Sequence, residues 1–236
     1  MTDSSKREKV YHVFQNISGS YDKANERISL GWERHWKKEL VQAISVQTAP
    51  KDKILDVCCG TGDIAIALAQ SQQETQVVGL DFSPAMLEIA QKKSEYLVNI
   101  SWQIGDAMHL PFADNTFDAA CISFGLRNTA DYLTVLQEMK RVVIPGGWVY
   151  CLDSFVPDSS WIRPFYALYF RGIMPLLGGG FHHRREYIWL WQSTQAFLRK
   201  NELLALFAQA GLSEETLKSY MFGACALHKG KKPINE

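Results

Sequence analysis

The chain has 236 residues, of which 47% are hydrophobic and 21% charged, enough apolar material for a full core in one domain and too much for a disordered chain. The 25 Lys and Arg residues balance the 25 Asp and Glu residues, so the chain has no net charge that would attract nucleic acid. Its five cysteines include no C-x-x-C pair, which argues against a disulfide framework and against a structural zinc site. The cysteine usage fits a reducing cytoplasm. A polar N-terminus and the lack of a long apolar run predict neither a signal peptide nor a transmembrane helix.

The N-terminal segment 10–40 is rich in aromatic residues but does not share the strand and helix alternation of the rest of the chain. We predict that residues 1–50 form a helical lid that folds over the ends of the strands. Tyr21 and Asp22 in this segment are candidate hydrogen-bond or proton-relay partners for a bound ligand. An equal alternative for Tyr21 is a purely structural contact that fixes the N-terminal helix.

The stretch ILDVCCGTGDIA, residues 54–65, predicts a buried strand that enters a helix through a Gly-Thr-Gly turn. Gly60 and Gly62 let the backbone turn tightly and approach a ligand, as in the first turn of a doubly wound α/β sheet. With Ala65 they also fit the loose dinucleotide fingerprint, and Asp81 stands where a ribose-binding carboxylate belongs. The turn therefore predicts a nucleotide site without deciding which nucleotide binds.

The charges of Asp56 and Asp63, which flank this turn, separate the candidate ligands. Carboxylates repel a pyrophosphate, and the Lys-Ser/Thr pair of a P-loop is missing after the glycines. S-adenosylmethionine carries a sulfonium and an ammonium against one carboxylate, so its net positive charge suits an acidic turn. We predict this ligand; the alternative is that both carboxylates only cap the turn and the helix.

Strand-like and helix-like segments alternate after the turn, which is typical of a parallel sheet in an α/β fold. Ser83 and Pro84 predict an N-cap and a first helical residue. Pro145-Gly146-Gly147 is expected to end the third of these helices before the fifth strand. The predicted strands after the first are 75–80, 100–104, 117–123 and 148–152, and the predicted helices are 63–73, 85–93 and 132–142.

The segment 154–199, which follows the fifth strand, is too aromatic for a simple crossover. Two amphipathic stretches joined by Gly178-Gly179-Gly180 predict a helical cap, in which most of the rings pack on the sheet and some line an apolar pocket. Residues 202–210 predict a helix that ends at Gly211. Two short strands near 215–218 and 223–228 would complete the sheet, so the predicted divisions are 1–50, 51–153, 154–199 and 200–236.

Four separated blocks of the sequence resemble the ubiquinone/menaquinone biosynthesis C-methyltransferases. They are VFQNISGSYDKANERISLGWERHWK near the N-terminus, ILDVCCGTGDIA, GDAMHLPFADNTFDAACISFGLRN, and GACALHKG near the C-terminus. Together the blocks span nearly the whole chain. The FGLRN element is more specific for this family than the glycine turn that methyltransferases in general share. The region 181–200, with Trp189, Trp191 and Arg199-Lys200, departs from the family pattern and is expected to face the prenyl tail of the substrate.

The resemblance implies a class I S-adenosylmethionine-dependent methyltransferase fold, which is Rossmann-like. Its seven-stranded, mostly parallel sheet would carry helices on both faces, the N-terminal helical lid, and the aromatic helical insertion after the fifth strand. The implied reaction is methylation of a ring carbon of a prenylated quinol such as demethylmenaquinol, with S-adenosylmethionine as the donor. A homodimer and peripheral contact with the inner face of a membrane are left open.

The donor residues follow from the ends of the predicted strands, where open α/β sheets bind ligands. Asp56, Gly60, Thr61 and Gly62 are assigned to the methionine end of the donor and Asp81 to the ribose hydroxyls. Asp106 and Ala107 are assigned to the adenine edge of the donor. Ser123, at the mouth of the fourth strand, completes the donor pocket. The family resemblance also supports Thr61, Asp81, Asp106, Ala107 and Ser123.

Arg127 and Asn128 directly follow the fourth strand and are the predicted catalytic residues together with Tyr21. A guanidinium there could stabilise the ring oxyanion that forms when a quinol hydroxyl loses its proton. His109 is a candidate proton relay, although a structural loop histidine is the stronger alternative. We expect the sequence His182-His183-Arg184-Arg185 to be a solvated loop, with lipid headgroups as a minor alternative partner.

Three other functions remain open from the sequence alone. One is a methyltransferase acting on a different apolar acceptor, such as a sterol or a polyketide. Another is an NAD-dependent oxidoreductase, which only the G-x-G-x-x-A spacing supports. The last is a non-catalytic interaction protein that uses the aromatic cap as a docking face.

Overall fold

The computed structural model describes residues 29, 31–168 and 191–235. Their strands form one seven-stranded sheet in the order β3-β2-β1-β4-β5-β7-β6, in which β7 is antiparallel to both of its neighbours and the other pairs are parallel. This is the predicted fold class. The strands are β1 Lys53–Val57, β2 Gln76–Asp81, β3 Ile100–Ile104, β4 Phe117–Ser123, β5 Val143–Ser154, β6 Ser213–Tyr220 and β7 Cys225–Lys231.

Helices cover both faces of this sheet. They are α1 Trp32–Ser45, α2 Asp63–Ser71, α3 Pro84–Lys93, α4 Tyr132–Val142, α5 Arg163–Leu168 and α6 Lys200–Gln209, with short 3-10 turns at Leu126–Asn128 and Met221–Gly223. Because alternate residues of a strand point to opposite faces, β1 supplies Ile54 to one core and Leu55 to the other. The first core includes side chains of α1 and α2, and the second includes side chains of α4 and α6.

The helix starts show the local chemistry that the sequence predicts. Ser83 is the N-cap of α3, with its hydroxyl accepting from Met86 N at 3.4 Å, and Pro84 is the first helical residue. Asp131 caps α4 by accepting from Leu133 N at 2.9 Å and from Thr134 N at 3.1 Å. These bonds satisfy N–H groups that have no partner within the helix itself.

The fifth strand is longer than predicted, because the Pro-Gly-Gly sequence lies within it rather than before it. The pairing of β4 with β5 shifts register between Phe117 and Ala119, as at a β-bulge. A Cβ atom on Gly147 would stand 2.5 Å from the carbonyl oxygen of Asp118. Only glycine therefore permits this close approach of the two strands, and the prediction that the segment ends a helix missed its second role.

The C-terminal elements also extend beyond their predicted bounds. Helix α6 starts at Lys200 rather than at residue 202, because Glu202 Oε2 accepts from Arg199 N at 2.6 Å and closes the first turn. Gly211 follows the helix with a φ of 83°, as its predicted stop requires. The strands β6 and β7 are longer than predicted. β7 pairs with both β5 and β6, and these antiparallel ladders satisfy backbone groups of residues outside the short apolar runs from which the strands were predicted.

The predicted lid and cap fall only in part within the described residues. The described part of the predicted lid contains helix α1, whose residues Trp36, Leu40 and Ile44 are buried against the sheet. Of the cap, residues 154–168 and 191–199 are described, whereas Tyr21, Asp22 and the 182–185 sequence lie outside the described residues. Among the helices of the described part, none is long and apolar enough to cross a membrane.

Candidate active site

A cleft opens at the carboxyl ends of the parallel strands, where β1 and β4 lie side by side. It encloses about 850 Å3 when its open mouth is counted. The crossovers from β1 and from β4 lead away to opposite halves of the sheet, which leaves a crevice between them. The lining residues are Cys58, Gly60, Asp81, Phe82, Met86, Gly105, Asp106, Ala107, Met108, Ser123, Phe124, Gly125, Asn128, Thr129 and Ala130.

Gly60 and Gly62 have different roles in the first turn, although both have positive φ angles, 55° and 85°. Gly60 lines the cleft, and no other heavy atom lies within 4 Å of the position that its Cβ atom would take. A Cβ atom of Gly62 would instead stand 2.4 Å from the Trp102 ring. The first glycine lets a ligand approach the backbone, and the second lets α2 pack against β3.

Asp81, at the end of β2, is the carboxylate that joins this turn to the cleft. Its Oδ2 accepts from Gly60 N at 2.8 Å and its Oδ1 accepts from Ser83 N at 2.9 Å. Burial raises the pKa of this carboxyl above its usual range, while the bonds from the Ser83 and Gly60 amides act in the opposite direction. Asp81 is thus held rigidly at the cleft wall, where its remaining lone pairs can accept from ligand hydroxyls.

Asp56 does not line the cleft, unlike the prediction from its place beside the turn. It is 1% exposed beneath the start of α2, where Oδ2 accepts from Ala65 N at 3.1 Å and Oδ1 from the Cys121 thiol at 3.6 Å. Burial raises the pKa of Asp56 to about 7. Its carboxyl fastens α2 to the sheet, which is the capping alternative that the sequence left open.

Asp63 likewise directs its charge away from the cleft. Its Oδ2 is 2.9 Å from Lys37 Nζ, and its Oδ1 pairs with Lys93. Two ammonium groups therefore compensate this carboxylate. The acidic charge at the cleft comes from Asp81 and Asp106 rather than from the two residues on which the sequence argument depended.

The turn that follows β3, beside β2, also contributes to the cleft. Asp106 follows β3, and its Oδ1 accepts from Met108 N at 3.0 Å, which forms a tight turn that exposes Ala107 to the cleft. His109 lies in this turn, with its amide donating to the Asp106 carbonyl at 3.0 Å, and is not among the lining residues. Thr61 is also outside the lining, with its hydroxyl 3.4 Å from Lys93 Nζ.

Ser123 and Asn128 bring polar atoms to the cleft that have no protein partner among the described residues. Ser123 Oγ and Asn128 Oδ1 are both buried without a hydrogen bond, whereas Asn128 Nδ2 donates to the Phe124 carbonyl at 3.3 Å. Buried polar groups are almost always satisfied, so two such atoms in one cleft indicate that a polar ligand satisfies them. The residues present therefore fit a nucleoside-type donor.

Two non-glycine residues with positive φ line the cleft, and neither conformation was predicted from the sequence, although Cys58 stands where many methyltransferases have the first glycine of this loop. Cys58 and Phe124 each have a φ of 55° and directly follow the neighbouring strands β1 and β4. Gly125 allows the two loops to touch, because a Cβ there would stand 2.6 Å from the Cys58 Cβ. Such strain persists where the surroundings enforce it and is common at ligand sites.

Arg127 lies behind the cleft wall rather than in it. It is 4% exposed, its Nη1 pairs with Asp153, and its guanidinium carbon is 5.7 Å from the centre of the Phe124 ring. Asp153 was missed in the sequence, although its place at the end of the apolar strand β5 was a usable signal. Among the predicted catalytic residues, the structure brings Asn128 to the cleft and places Arg127 next to it, while Tyr21 lies outside the described residues.

The sheet order and the cleft at the β1 and β4 ends are those of the class I methyltransferase fold. An S-adenosylmethionine-dependent methyltransferase from Thermotoga maritima has the same fold, with a TM-score of 0.66, 20% identity, and coverage of 94% of this chain and 99% of that one. The chain belongs to the ubiE/COQ5 methyltransferase family, whose model matches residues 1–232. It is therefore a methyltransferase, and the oxidoreductase and non-catalytic alternatives are set aside.

Curated relatives match the chain along almost its entire length. The demethylmenaquinone methyltransferase of Staphylococcus saprophyticus is 44% identical over 232 residues, which cover 98% of this chain and 99% of the relative. The protein of the same name from Shouchella clausii is 45% identical over 234 residues, with the same coverage. The resemblance seen in the four sequence blocks is confirmed.

Proposed function

We propose that this methyltransferase converts demethylmenaquinol to menaquinol with S-adenosylmethionine as the donor. When bound, the donor supplies a sulfonium-activated methyl group, and its transfer to a quinol ring carbon releases S-adenosylhomocysteine and the ring proton. The observation that carries the proposal is the cleft with unpartnered polar atoms in a chain 44% identical to the Staphylococcus saprophyticus demethylmenaquinone methyltransferase. No metal is needed, because methyl transfer of this kind depends on alignment and electrostatics.

Donor binding is assigned to the β1, β2 and β3 ends of the cleft. Asp81 accepts from the ribose hydroxyls, because two backbone amides hold its carboxylate in place there. Asp106 and Ala107 contact the adenine edge, and the open backbone at Gly60 receives the methionine end. Thr61, Gly62 and Asp56 support this turn from behind without lining the cleft.

Acceptor binding is assigned to Asn128, which follows β4, lines the cleft and supplies a buried polar atom. Ser123, at the end of β4, stays with the donor residues. The Asn128 amide is placed to hold a ring hydroxyl, and the positive charge of Arg127 behind it favours the ionised form of that hydroxyl. An ionised hydroxyl makes the neighbouring ring carbon nucleophilic. Tyr21 remains a predicted partner from the N-terminal lid.

The direct test is a mass-spectrometric assay with a short-chain demethylmenaquinol, and a sterol and a polyketide as competing acceptors. We expect a quinol product heavier by one methyl group and no product from the other acceptors. The variant Asn128→Ala should lose roughly tenfold or more in kcat, whereas Asn201→Ala, at an exposed position of α6, should keep the wild-type rate. Methylation of a competing acceptor with every quinol inactive would overturn the substrate assignment.

A further inference from the structure

Asp153, the last but one residue of β5, has no role in the donor and acceptor assignments. It is fully buried at the carboxyl end of the strand, next to the apolar residues Val149, Cys151 and Leu152. An ionised carboxylate is costly to bury unless it is paired and hydrogen-bonded. Its presence at this position therefore requires a physical explanation.

The contacts of Asp153 are concentrated on one residue, Arg127, directly behind the cleft wall. Its Oδ1 pairs with Arg127 Nη1, and its Oδ2 accepts from Arg127 N at 3.3 Å. Ser154 N also donates to Oδ1 at 2.7 Å, which orients the carboxylate relative to its own strand. The one side chain of Asp153 thus holds both the backbone and the guanidinium of Arg127.

These bonds control the position of the short turn Leu126–Asn128. Asn128 follows Arg127 directly and lines the cleft, and its Oδ1 is buried without a hydrogen bond among the described residues. The guanidinium of Arg127 also lies against the ring of Phe124, which lines the same cleft. A displacement of Arg127 would therefore move two cleft residues, one polar and one aromatic.

Stability alone is a weak explanation for such a pair. Replacing a buried ion pair with packed apolar residues is often neutral or stabilising, because desolvation offsets the attraction between the charges. The geometry instead points to positioning: we propose that Asp153 is a positioning residue of methyl transfer, acting through Arg127 and the turn 126–128. This inference rests on the proposed function of the cleft.

The first experiment compares Asp153→Asn with Asp158→Asn in the full chain. Asp158 pairs with the buried Lys200 at 2.5 Å, so the control removes the same charge from another buried cation that is outside the cleft lining. We expect Asp153→Asn to lower kcat about tenfold to a hundredfold, since small misplacements in an active site cost rates of that order. KM for S-adenosylmethionine should stay within about twofold, because Asp153 is outside the donor lining. Equal kcat values for the two variants would overturn the proposal.

A second set of variants separates positioning from stability. Arg127→Met leaves a buried carboxylate without this partner, so Tm should fall, and adding Asp153→Asn should restore much of the lost Tm by removing the charge. The rate should stay low in this double variant, because the guanidinium that ties the turn to residue 153 is still missing. Recovery of kcat together with Tm would refute the positioning role.

Asp153→Glu provides a variant that keeps the charge if the neutral replacement does not fold. The longer side chain shifts the carboxylate by one methylene, so kcat should still fall while the ion pair is retained. A wild-type kcat in this variant would count against positioning. Failure of the wild-type enzyme on every quinol would instead refute the proposed function, so the two failures are distinguishable.

Discussion

Two aspartates at the ends of neighbouring strands show how environment divides the roles of one residue type. Asp81 receives two backbone amides and lines the cleft, whereas Asp56 receives one amide and a thiol beneath α2. Sequence spacing places both beside the glycine turn, but only burial and direction distinguish the ligand-facing carboxylate from the structural one. The raised pKa of Asp56, about 7, reflects burial first.

A buried carboxyl with a raised pKa makes stability depend on pH in a definite direction. The ordinary pKa of Asp56 is 3.8 and its folded value is about 7, so the folded state holds a proton that the unfolded state releases between these values. The free energy of unfolding therefore falls as the pH rises through this window. The stabilising contribution is complete below pH 3.8 and is lost above the folded pKa.

We predict that Asp56→Asn reduces this loss of stability, because the amide does not ionise. Urea unfolding at about pH 5 and about pH 8 should show a drop in wild-type stability that is smaller in the variant by an amount on the order of 1 kcal/mol or more. The control Asp52→Asn changes a carboxylate whose bond to Ala49 N is at the surface, and it should keep the wild-type drop. An unchanged drop in Asp56→Asn would contradict the prediction.

At the scale of elements, α1 is attached to the site by packing and by charge together. Trp36 of α1 packs against the Phe124 ring at 6.5 Å between ring centres, and Lys37 pairs with Glu33 at 2.5 Å and with Asp63, the first residue of α2, at 2.9 Å. The two acidic partners raise the pKa of Lys37, although burial acts in the opposite direction. Helix α1 thereby contacts both Phe124 in the cleft and the first residue of α2.

The attachment predicts unequal effects for two lysine substitutions. Lys37→Met should lower the free energy of unfolding by about 1 kcal/mol, since it breaks a partly buried pair in a network. Lys92→Met breaks only the exposed pair with Glu88 and should cost less than about 0.5 kcal/mol. Urea denaturation of both variants checks this, and equal losses would mean that the Lys37 network does not attach α1.

At the scale of the whole molecule, the cleft exists because four strand ends meet at one edge of the sheet. Residues after β1, β2, β3 and β4 each contribute to its lining, although they are far apart in the chain. A ligand that bridges these ends binds the folded state only, so its binding stabilises the entire fold. This makes thermal unfolding a direct measure of the donor assignment.

S-adenosylhomocysteine at about 100 times its Kd should raise Tm by roughly 5 to 11 °C, which corresponds to about 2.7 kcal/mol in a chain of this size. NADH should produce no shift. Asp81→Ala should lose most of the rise, whereas Asp118→Ala should keep it, because Asp118 accepts from Lys53 N at the opposite edge of the sheet. A rise with NADH and none with S-adenosylhomocysteine would overturn the donor assignment.

Much of the architecture was readable from the sequence because the signals for it are local. Ser83-Pro84 and the apolar periodicity of 132–142 correspond to the observed α3 and α4, and strands β3 and β4 have their predicted bounds. The Pro-Gly-Gly sequence was misread, since its contact with Asp118 is made across strands. Caps and periodicity act between residues a few positions apart, whereas a bulge depends on the partner strand.

The sequence by itself determined the alternating fold, the glycine turn and the family, because propensity, periodicity and motif spacing are properties of the chain. Only the tertiary structure decided which charges face the cleft: Asp63 is compensated by lysines from α1 and α3, Asp56 is buried, and Arg127 is held by Asp153 from another strand. Charge in a site depends on burial and on partners distant in sequence. Those are fixed only when the sheet assembles and brings its strand ends together.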